Sequence, residues 1–581
     1  MNFNSEQLDI LNAKERIVVV SACPGSGKTS VFVEKLRRLQ NQWNQPRRGI
    51  AALSFTNAAS SEIGERLGLL NAPHFLGTLD SFMLRFVVQP FSHLVGVLNS
   101  GPRLVPAPLD ERLEFPKLKY GSANGDLISI YKVNIVGGSM SSPICSFKHP
   151  QRGESIRLSS ELSNKALTIK RQCWQRNGYI THGDSNFIAA QILTDSKIGT
   201  ICSRLIGERF PIILVDEFQD TMHFLSKALF ALLENSVVSA MLVGDPDQAI
   251  YEFGGASPHL FSDALNLEGS QLYSITKSQR FGKAIAVITS ALSESAKEIV
   301  GNERATDGFT RILIHQLEDN QLDSSLARQL LSRLPQQDSS VILARNSRIV
   351  RLLSPASNKS AFQGRSKAGR TIDSAVSNLR SGDMTGAMNI VSQLLWMFIT
   401  DKPALPTDSE LEEIQVSRAE WRIYVFTILI EASKFVESEV WNDWLKRVMR
   451  EFEKAIISMQ QPFNAGRNFQ SDKTDGTQPR VQNVITKSLI QENSKVITVH
   501  QAKGTEYDHI VYFLNKAHAT HSPCISQEWW KTIPSEERRI GFVAISRPRK
   551  SLTLCLHKNS YGQILKVGKG FVDNFSEVAD L

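Results

Sequence analysis

Short apolar runs rich in β-branched residues alternate along this chain with segments whose apolar positions recur at helical spacing. A short apolar run bounded by turn residues is typical of a buried strand. Strands of this kind that alternate with helices are typical of a parallel sheet with helices on both faces. The pattern therefore predicts an α/β protein with two parallel sheets. The predicted strands are 17–21, 50–55, 212–215 and 241–243 in the first group, and 341–344, 496–499, 510–513 and 552–556 in the second.

Two long stretches interrupt this alternation, and we predict that each is an insertion into one sheet domain. Residues 89–184 are richer in Pro, Gly and Ser, and residues 356–489 contain an apolar stripe at helical spacing between Val440 and Ile456. Such a stripe is more often a packed helix face than a ligand site, and we interpret it so. The predicted order is first sheet domain 1–88, insertion 89–184, first sheet domain 185–280, second sheet domain 281–355, insertion 356–489 and second sheet domain 490–581.

Composition narrows the class of protein without defining it. The 581 residues carry 66 Lys and Arg against 58 Asp and Glu, a formal net charge of +8, which suits a polyanionic partner. No apolar run approaches the ~18 residues that a membrane span needs. The N-terminal residues show no export pattern, so we expect a cytoplasmic protein without membrane contact. The six cysteines form no Cys-x-x-Cys pair, which predicts no zinc or redox site.

The first chemical signal is a loop that follows the strand at 17–21 and precedes a helix. From residue 22 it reads Ala-Cys-Pro-Gly-Ser-Gly-Lys-Thr, close to the pattern of a phosphate-binding loop. In such a loop the backbone N–H groups hold phosphates at the helix N-terminus, a lysine neutralises them and a hydroxyl reaches Mg²⁺. The candidate phosphate-binding residues are Ala22, Cys23, Pro24, Gly25, Ser26, Gly27, Lys28 and Thr29.

The second signal is an acidic pair, Asp216 and Glu217, after the apolar run 212–215. Ligands of open α/β sheets bind beside the carboxyl ends of the strands, so the pair is expected to face the same crevice as the phosphate loop. There Asp216 can hold Mg²⁺ together with Thr29, and Glu217 can activate a water for in-line attack on a phosphate. Solvated acids also end many strands, and the phosphate loop is what favours the catalytic interpretation.

The third signal is a polar and aromatic segment at residues 242–253, which begins in another predicted strand. Gln248 can orient the attacking water or contact the γ-phosphate. Tyr251 and Phe253 can stack on nucleobases, but packing in the core explains two aromatic residues at this spacing equally well. Spacing alone leaves both interpretations open.

These motifs stand in the order found in superfamily 1 helicases of the UvrD/Rep type, and the chain resembles that family from residue 4 to residue 547. Residues 216–221, Asp-Glu-Phe-Gln-Asp-Thr, match its second motif letter for letter. The resemblance implies two RecA-like P-loop domains, each with a largely helical insertion, in the 1A/1B/2A/2B arrangement. It also implies that hydrolysis of ATP with Mg²⁺ drives 3′→5′ movement on single-stranded DNA and unwinding of partly duplex DNA.

The resemblance also assigns roles to residues elsewhere in the chain. On the nucleotide side it implies that Gln7 reads the adenine and that Glu506 lies near the ribose. It places Arg280 at the γ-phosphate and makes Arg547 an arginine finger. The implied catalytic set is Lys28, Asp216, Glu217, Gln248, Arg280 and Arg547. The implied DNA contacts are Thr56, Asn57, Thr78, Tyr251, Phe253, Arg345, His500 and Lys503.

The chain departs from the family pattern at several positions around these sites. Ser30 and Gln279 stand where relatives often carry an arginine and a tyrosine that enclose the adenine. Leu79 and Asp80 replace an aromatic residue and a histidine of a strand-contact motif. These changes bear on base recognition, DNA affinity and coupling, and they leave the hydrolytic set intact.

Within the family, the reduced motifs at 21–29 and 77–81 most resemble the helicase subunit of Gabija-type anti-phage systems, which acts beside a nuclease. That likeness implies a separate nuclease subunit as partner, whereas the wider family implies DNA repair or recombination. A second interpretation is a DNA-sensing ATPase subunit that regulates a partner nuclease with little unwinding. Both interpretations share the ATP site, so the motifs do not separate them.

Overall fold

The structure of the protein is a computed structural model with two large parallel sheets. It describes residues 3–68, 70, 72–98, 101–105, 116–120, 127–148, 155–251, 259–305, 308–335, 337–354, 367–380, 384–400, 405–406, 408–434, 439–462, 496–515, 529 and 535–581.

Strands in the described part of the chain form the two large sheets and three small ones. In chain order they are β1 (Ile17–Ala22), β2 (Ile50–Ser54), β3 (Phe75–Thr78), β4 (Arg103–Leu104), β5 (Lys117–Lys119), β6 (Leu127–Ser129), β7 (Val133–Gly138), β8 (Pro143–Lys148), β9 (Ser155–Arg157), β10 (Tyr179–Ile180), β11 (Ile212–Val215), β12 (Ser239–Gly244), β13 (Ser270–Ile275), β14 (Thr310–His315), β15 (Ser340–Ala344), β16 (Val496–Thr498), β17 (Tyr507–Leu514), β18 (Pro548–His557) and β19 (Glu577–Asp580).

Helices connect the strands and cover the sheets. They are α1 (Ser5–Asn12), α2 (Lys28–Asn41), α3 (Asn57–Leu67), α4 (Leu79–Met83), α5 (Gln89–Phe91), α6 (Ser160–Asn177), α7 (His182–Thr194), α8 (Ile198–Arg209), α9 (His223–Glu234), α10 (Leu260–Leu265), α11 (Lys283–Leu292), α12 (Ser324–Ser332), α13 (Ser347–Leu353), α14 (Lys367–Arg380), α15 (Met384–Thr400), α16 (Asp408–Glu413), α17 (Arg418–Ser433), α18 (Trp441–Ser458), α19 (Val499–Ala502), α20 (Glu536–Ile545), α21 (Lys558–Val567) and α22 (Lys569–Val572). None of these helices is both long and apolar enough to cross a membrane.

The first large sheet has the strand order β13-β1-β12-β11-β2-β3, and all neighbouring strands are parallel. Strand β1 is buried along its whole length because helices cover both faces of the sheet. Its side chains alternate between two cores: Val18 and Val20 pack with Phe32 of α2, whereas Val19 packs on the opposite face with Phe187 of α7. The packing of β1 on both faces therefore fixes the position at which the loop at 23–27 begins.

The second large sheet has the order β16-β15-β17-β18-β14-β19, and its neighbouring strands are again parallel. Val341 and Leu343 of β15 face one core, and Ile342 and Ala344 face the other. The predicted fold class, α/β with two parallel-sheet domains, is confirmed. All eight predicted strands lie in these two sheets; the strand at 212–215 has the predicted bounds, and the other seven are extended or shortened at their ends.

The apolar pattern did not predict four strands of the two sheets. β3, β13 and β19 are edge strands, and their side chains are mostly exposed or half-buried. An edge strand needs no continuous apolar run, because one side of it faces solvent or a loop. The remaining strand, β14, mixes buried apolar residues with Arg311 and His315, which interrupt the apolar signal.

The two insertions differ in make-up. The described part of the second one is helical: helices α14 to α18 enclose a separate core that contains Trp421, Trp444, Val448 and Phe452. The stripe that begins at Val440 is thus a packed helix face, as predicted. The first insertion is more mixed than the largely helical one we expected, because strands β4 to β10 accompany α6. The domain boundaries stay predictions, and those at 355/356 and 489/490 lie outside the described residues.

The separate core of the second insertion leads to a stability prediction. Trp444 is fully buried, and its indole N–H donates to the Ala432 carbonyl at 3.0 Å. Trp444→Ala should destabilise the helical insertion by about 3–5 kcal/mol, through the lost packing and the cavity. Hydrogen exchange measured by mass spectrometry should then quicken in α15 and α17 but not in β1.

The control is Ile423→Ala on α17, whose side chain is 63% exposed and should change the stability by about 0.5 kcal/mol or less. Exchange that quickens equally in β1 of the Trp444→Ala variant would show that the insertion and the first sheet unfold as one unit.

Candidate active site

The loop between β1 and α2 is bent by two glycines and held from the segment after β13. Gly25 and Gly27 adopt φ values of +71° and +79°, which glycine takes without strain. A Cβ on Gly25 would lie 2.5 Å from the Cβ of Arg280, so no side chain fits there. The Gln279 N–H donates to the Gly25 carbonyl at 2.8 Å. Residues distant in sequence thus fix the shape of the phosphate loop.

The preceding loop residues serve mainly to hold this shape. Ala22 ends β1, and the Pro24 carbonyl accepts a hydrogen bond from the Ser278 hydroxyl at 2.8 Å. The Cys23 thiol lies 3.2 Å from the Thr276 carbonyl. Burial raises the pKa of this thiol to about 12, which keeps it protonated at neutral pH.

Gln7 lies buried beside the loop, with both ends of its amide engaged. Its Nε2 donates to the Ser26 carbonyl at 2.9 Å, and its Oε1 accepts from the Asn4 N–H at 2.9 Å. A Cβ on Gly27 would lie 3.1 Å from this Nε2. Ser30 follows in the first turn of α2 and is half-buried. The Gln7 amide therefore has one fixed orientation next to the loop.

Four of the predicted residues meet at the carboxyl edge of the first sheet. Thr29 Oγ1 lies 3.5 Å from Asp216 Oδ2, and Lys28 Nζ lies 3.8 Å from Glu217 Oε2. Mg²⁺ in nucleotide sites is usually held by one or two protein oxygens together with phosphates and waters. The neighbouring hydroxyl of Thr29 and carboxylate of Asp216 fit that donor set.

The two adjacent carboxyl groups have opposite proton affinities. Burial, and then the charge of Glu217, raise the pKa of Asp216 above its usual range. Burial also acts to raise the pKa of Glu217, but the opposing effects, led by Lys28 and then Lys503, outweigh it and lower this pKa below its usual range. The two lysines thus favour the ionised form of Glu217. Its backbone adopts φ +52°, a left-handed conformation unusual for glutamate.

Arg547 reaches this edge from the second sheet domain. Its Nη2 donates to Gln248 Oε1 at 2.8 Å, and Gln248 Nε2 donates to Asp245 Oδ2 at 2.6 Å. Burial lowers the pKa of Arg547 to about 9, so the guanidinium remains charged at neutral pH. Gln248 and Arg547, which are far apart in sequence, are thus in direct contact.

Arg280 lies at the same cleft, at the start of the segment that leads into the second domain. Its Nη2 donates to Glu506 Oε1 and its Nη1 to the Ser546 carbonyl, both at 2.6 Å. Glu506 also contacts Arg549, with Arg549 Nε 3.3 Å from Glu506 Oε2. The residues expected at the γ-phosphate and at the ribose are thus ion-paired with each other.

Lys503 forms a further bridge between the two domains. Its Nζ lies 2.6 and 2.7 Å from the two carboxylate oxygens of Asp220 and 2.7 Å from the Gln248 carbonyl. The same Nζ lies 4.7 Å from the centre of the Tyr251 ring. We expected Lys503 along the DNA strand, and the structure places it between the hydrolytic residues and an aromatic residue of the expected DNA side.

Tyr251 belongs to a small aromatic group next to the cleft. Its ring stacks on Phe55 with the centroids 5.5 Å apart, and His500 lies 6.0 Å away on another side. His500 also contacts the Ile250 carbonyl at 3.3 Å. Tyr251 is half-buried, with Phe55 stacked on its ring and the Lys503 ammonium over the ring. Phe253 lies outside the described residues.

The other expected DNA contacts stand near the ends of strands in both domains. Thr56 and Thr78 cap helices, their hydroxyls accepting from the backbone N–H groups three residues on. Asn57 is the first residue of α3 and is exposed. Arg345 follows β15 and forms a two-pronged ion pair with Glu537. No direct contact joins these side chains into one cluster among the described interactions.

A small cavity of about 10 Å³, with room for about one water molecule, lies between the acidic pair and the neighbouring strand ends. Its lining includes Phe55, Asp80 and Glu217, together with Ser54 and Thr221. The carboxylate of Asp80 accepts a hydrogen bond from Asn186 at 2.7 Å. The hydrolytic acids and the segments that we expected at the DNA strand therefore border one common space.

Several residues of the site were not singled out by the sequence pattern. Gln219 and Asp220 lie inside the matched segment 216–221, yet only its first two acids carried an assigned role. Asp245 is fully buried and pairs with Lys297 at 3.3 Å. A polar residue at a buried position after a strand is the signal that could have revealed them, since such groups need partners.

Two parallel sheets that share a phosphate loop, an acidic pair and two arginines at one cleft define the class of two-domain P-loop nucleoside triphosphate hydrolases. Residues 7–254 match the family model described as an AAA domain, and residues 307–559 match the UvrD-like helicase C-terminal domain. The chain therefore belongs to the UvrD-like helicases of superfamily 1.

Curated proteins with this likeness include bacterial helicases. The Gabija protein GajB of Bacillus cereus is 24% identical over 285 residues, which cover 49% of this chain and 48% of GajB. DNA helicase II of Escherichia coli is 26% identical over 324 residues, which cover 53% of this chain and 42% of that protein. The ATP-dependent DNA helicase Rep of Buchnera aphidicola subsp. Acyrthosiphon pisum is 22% identical over an alignment that covers 97% of this chain and 96% of Rep. The chain thus spans about half the length of GajB and less than half of DNA helicase II.

The position of Glu217 predicts the result of replacing it. Glu217→Gln keeps the size of the side chain and removes its basicity, so nucleotide affinity should stay within about threefold while turnover falls by about 10²–10⁴-fold. Binding of a fluorescent ATP analogue and release of phosphate measure the two quantities. The control is Glu234→Gln at the exposed end of α9, which should alter neither. Near-normal turnover in Glu217→Gln would overturn the assignment of the base.

Proposed function

We propose that this protein is an ATP-driven DNA translocase that moves 3′→5′ on single-stranded DNA and unwinds duplex DNA. The observation that carries the proposal is the contact of Arg547, from the second sheet domain, with Gln248 beside the phosphate loop of the first. A cation that reaches the transferred phosphate from another domain ties hydrolysis to the relative position of the two domains. That coupling is what a motor needs.

The hydrolytic step follows from the arrangement of the side chains. Lys28 and the loop N–H groups bind the phosphates of ATP. Thr29 and Asp216 would hold Mg²⁺, which neutralises phosphate charge when bound. Glu217 takes a proton from the attacking water. Arg280 and Arg547 then stabilise the negative charge that spreads over the γ-phosphate oxygens in the transition state.

Two features support DNA as the track. The half-buried Tyr251 and the neighbouring Phe55 are aromatic side chains beside the cleft on which a base can stack, and such stacking is sequence-tolerant because every base has a π-face. The net charge of +8 favours a phosphate backbone. We also propose that Thr56, Asn57, Thr78, Arg345 and His500 lie along the strand. DNA helicase II and Rep carry DNA in their names, which agrees with this substrate.

The likeness to the Gabija protein GajB supports anti-phage defence as the setting, with a separate nuclease subunit as partner, over repair or recombination. The translocase and the DNA-sensing regulator of a nuclease share every residue of the ATP site. They differ in whether the energy of hydrolysis displaces a strand, which is a measurable property.

Strand displacement tests the proposed polarity. A duplex with a 3′ single-stranded tail should be unwound in the presence of ATP and Mg²⁺, and a duplex with a 5′ tail of the same length should not. Lys28→Ala is the control for displacement by binding alone. Displacement from the 5′ tail would contradict the polarity. DNA-stimulated hydrolysis without displacement of either duplex, at any protein concentration, would favour the regulator.

A further inference from the structure

Gln219 is a fully buried glutamine that follows the catalytic acids by two residues and has no role in the hydrolytic scheme above. It lies in the single turn at 218–220 that follows Glu217. Its Nε2 donates to Glu217 Oε2 at 2.6 Å and lies 3.3 Å from Asp220 Oδ2. Its Oε1 accepts from the Asp245 N–H at 3.0 Å. Both ends of the amide are thus engaged.

These partners dictate the orientation of the amide. A backbone N–H such as that of Asp245 only donates, so the group facing it must be the oxygen, and the Nε2 of Gln219 must face the carboxylates. The space for the amide exists because the next strand ends in glycine. A Cβ on Gly244 would lie 2.2 Å from Gln219 Oε1, far inside contact distance.

Gln219 also restricts which oxygen of Glu217 can act as a base. The Gln219 amide and Lys28 Nζ both approach Oε2 of that carboxylate. An oxygen that already accepts a strong hydrogen bond is a weaker base, so Oε1 is the oxygen available to water. The backbone of Glu217 is in a left-handed conformation, and the hydrogen bond from Gln219 holds its carboxylate in one direction.

The contacts continue from the base to the arginine of the other domain. Gln219 accepts from the backbone of Asp245, Asp245 accepts from Gln248, and Gln248 accepts from Arg547. On its other side, Gln219 contacts Asp220, which is paired with Lys503. The amide therefore stands where two contacts from the second domain converge on the base.

We propose that Gln219 is the positioning residue that aims the Glu217 carboxylate at the attacking water, and that its amide is held in that orientation by Asp245, the residue joined to Arg547 through Gln248. The inference rests on the proposed function, because it concerns the same hydrolytic step. The role that we propose for Gln219 is to orient the carboxylate, and it requires no contact of Gln219 with the nucleotide or the water.

The test is Gln219→Met, which keeps the volume and removes both the donor and the acceptor. Since a misplacement of about 1 Å can reduce a rate by about 10²-fold, kcat for ATP hydrolysis should fall by about 10–10²-fold. The affinity for a fluorescent ATP analogue should stay within about threefold, because the proposed role requires no contact of Gln219 with the nucleotide. Gln191→Met, the same change at a half-buried glutamine of α7, is the matched control and should leave kcat unchanged.

A double-mutant cycle separates positioning from general damage to the fold. If Gln219 acts through Glu217, adding Gln219→Met to Glu217→Gln should change the single-turnover rate by less than about twofold. Effects that multiply in the double variant would contradict the proposal.

Gly244→Ala tests the same positioning role by a second route. The added Cβ displaces the Gln219 amide and should lower kcat in the same way. Gly183→Ala, whose Cβ would have its nearest neighbours at 3.8 and 3.9 Å, is its control.

The outcomes distinguish this inference from the proposed function. A wild-type protein that does not hydrolyse ATP would contradict the proposed function itself. A hydrolysing wild type with unchanged kcat in both Gln219→Met and Gly244→Ala would contradict only the positioning role.

Discussion

The cleft between the two sheets contains buried charged side chains, and each of them needs a partner. Arg547, Asp220 and Asp245 are almost fully enclosed, and an enclosed charge is stable only when it is paired or hydrogen-bonded. Each cation that the chemistry directs at a phosphate is held by an acid or an amide: Lys28 by Glu217, Arg280 by Glu506 and Arg547 by Gln248. In the proposed function, a triphosphate competes for these cations and so exchanges contacts within and between the domains. Charge pairing would then link the binding of the nucleotide to the arrangement of the domains.

Charge pairing also connects the hydrolytic residues to the proposed DNA-binding residues. Lys503 contacts Asp220 on the hydrolytic side and the face of Tyr251 on the other, and Phe55 stacks on that ring. A base that stacks on Tyr251 would change the surroundings of the Lys503 ammonium, and with it a charge close to Glu217. A small cavity lies between Phe55 and Glu217, beside these contacts. In the proposed function, these contacts connect the bound strand to the residues of hydrolysis.

Much of the fold could be predicted from the sequence because central strands of parallel sheets are apolar on both faces. The strands at 17–21 and 212–215 show this, and the chemistry follows them directly as the phosphate loop and the acidic pair. The edge strand β13 is mostly exposed and gave no such signal. Contacts between residues far apart in the sequence also produce no local sequence pattern: Lys503 and Asp220, which are in contact, are 283 positions apart. The role of Gln219 could not be predicted from the sequence, because it depends on the space above Gly244, which exists only in the folded sheet.

In the proposed function, hydrolysis at the first sheet responds to a DNA strand through the second domain. Steady-state ATP hydrolysis by the wild type and by Lys28→Ala, each with and without single-stranded DNA at low and moderate salt, tests this response. We expect strong stimulation by DNA in the wild type, weaker at the higher salt because phosphate contacts are screened, and none in Lys28→Ala. Hydrolysis by the wild type that is indifferent to DNA under both salt conditions would contradict it.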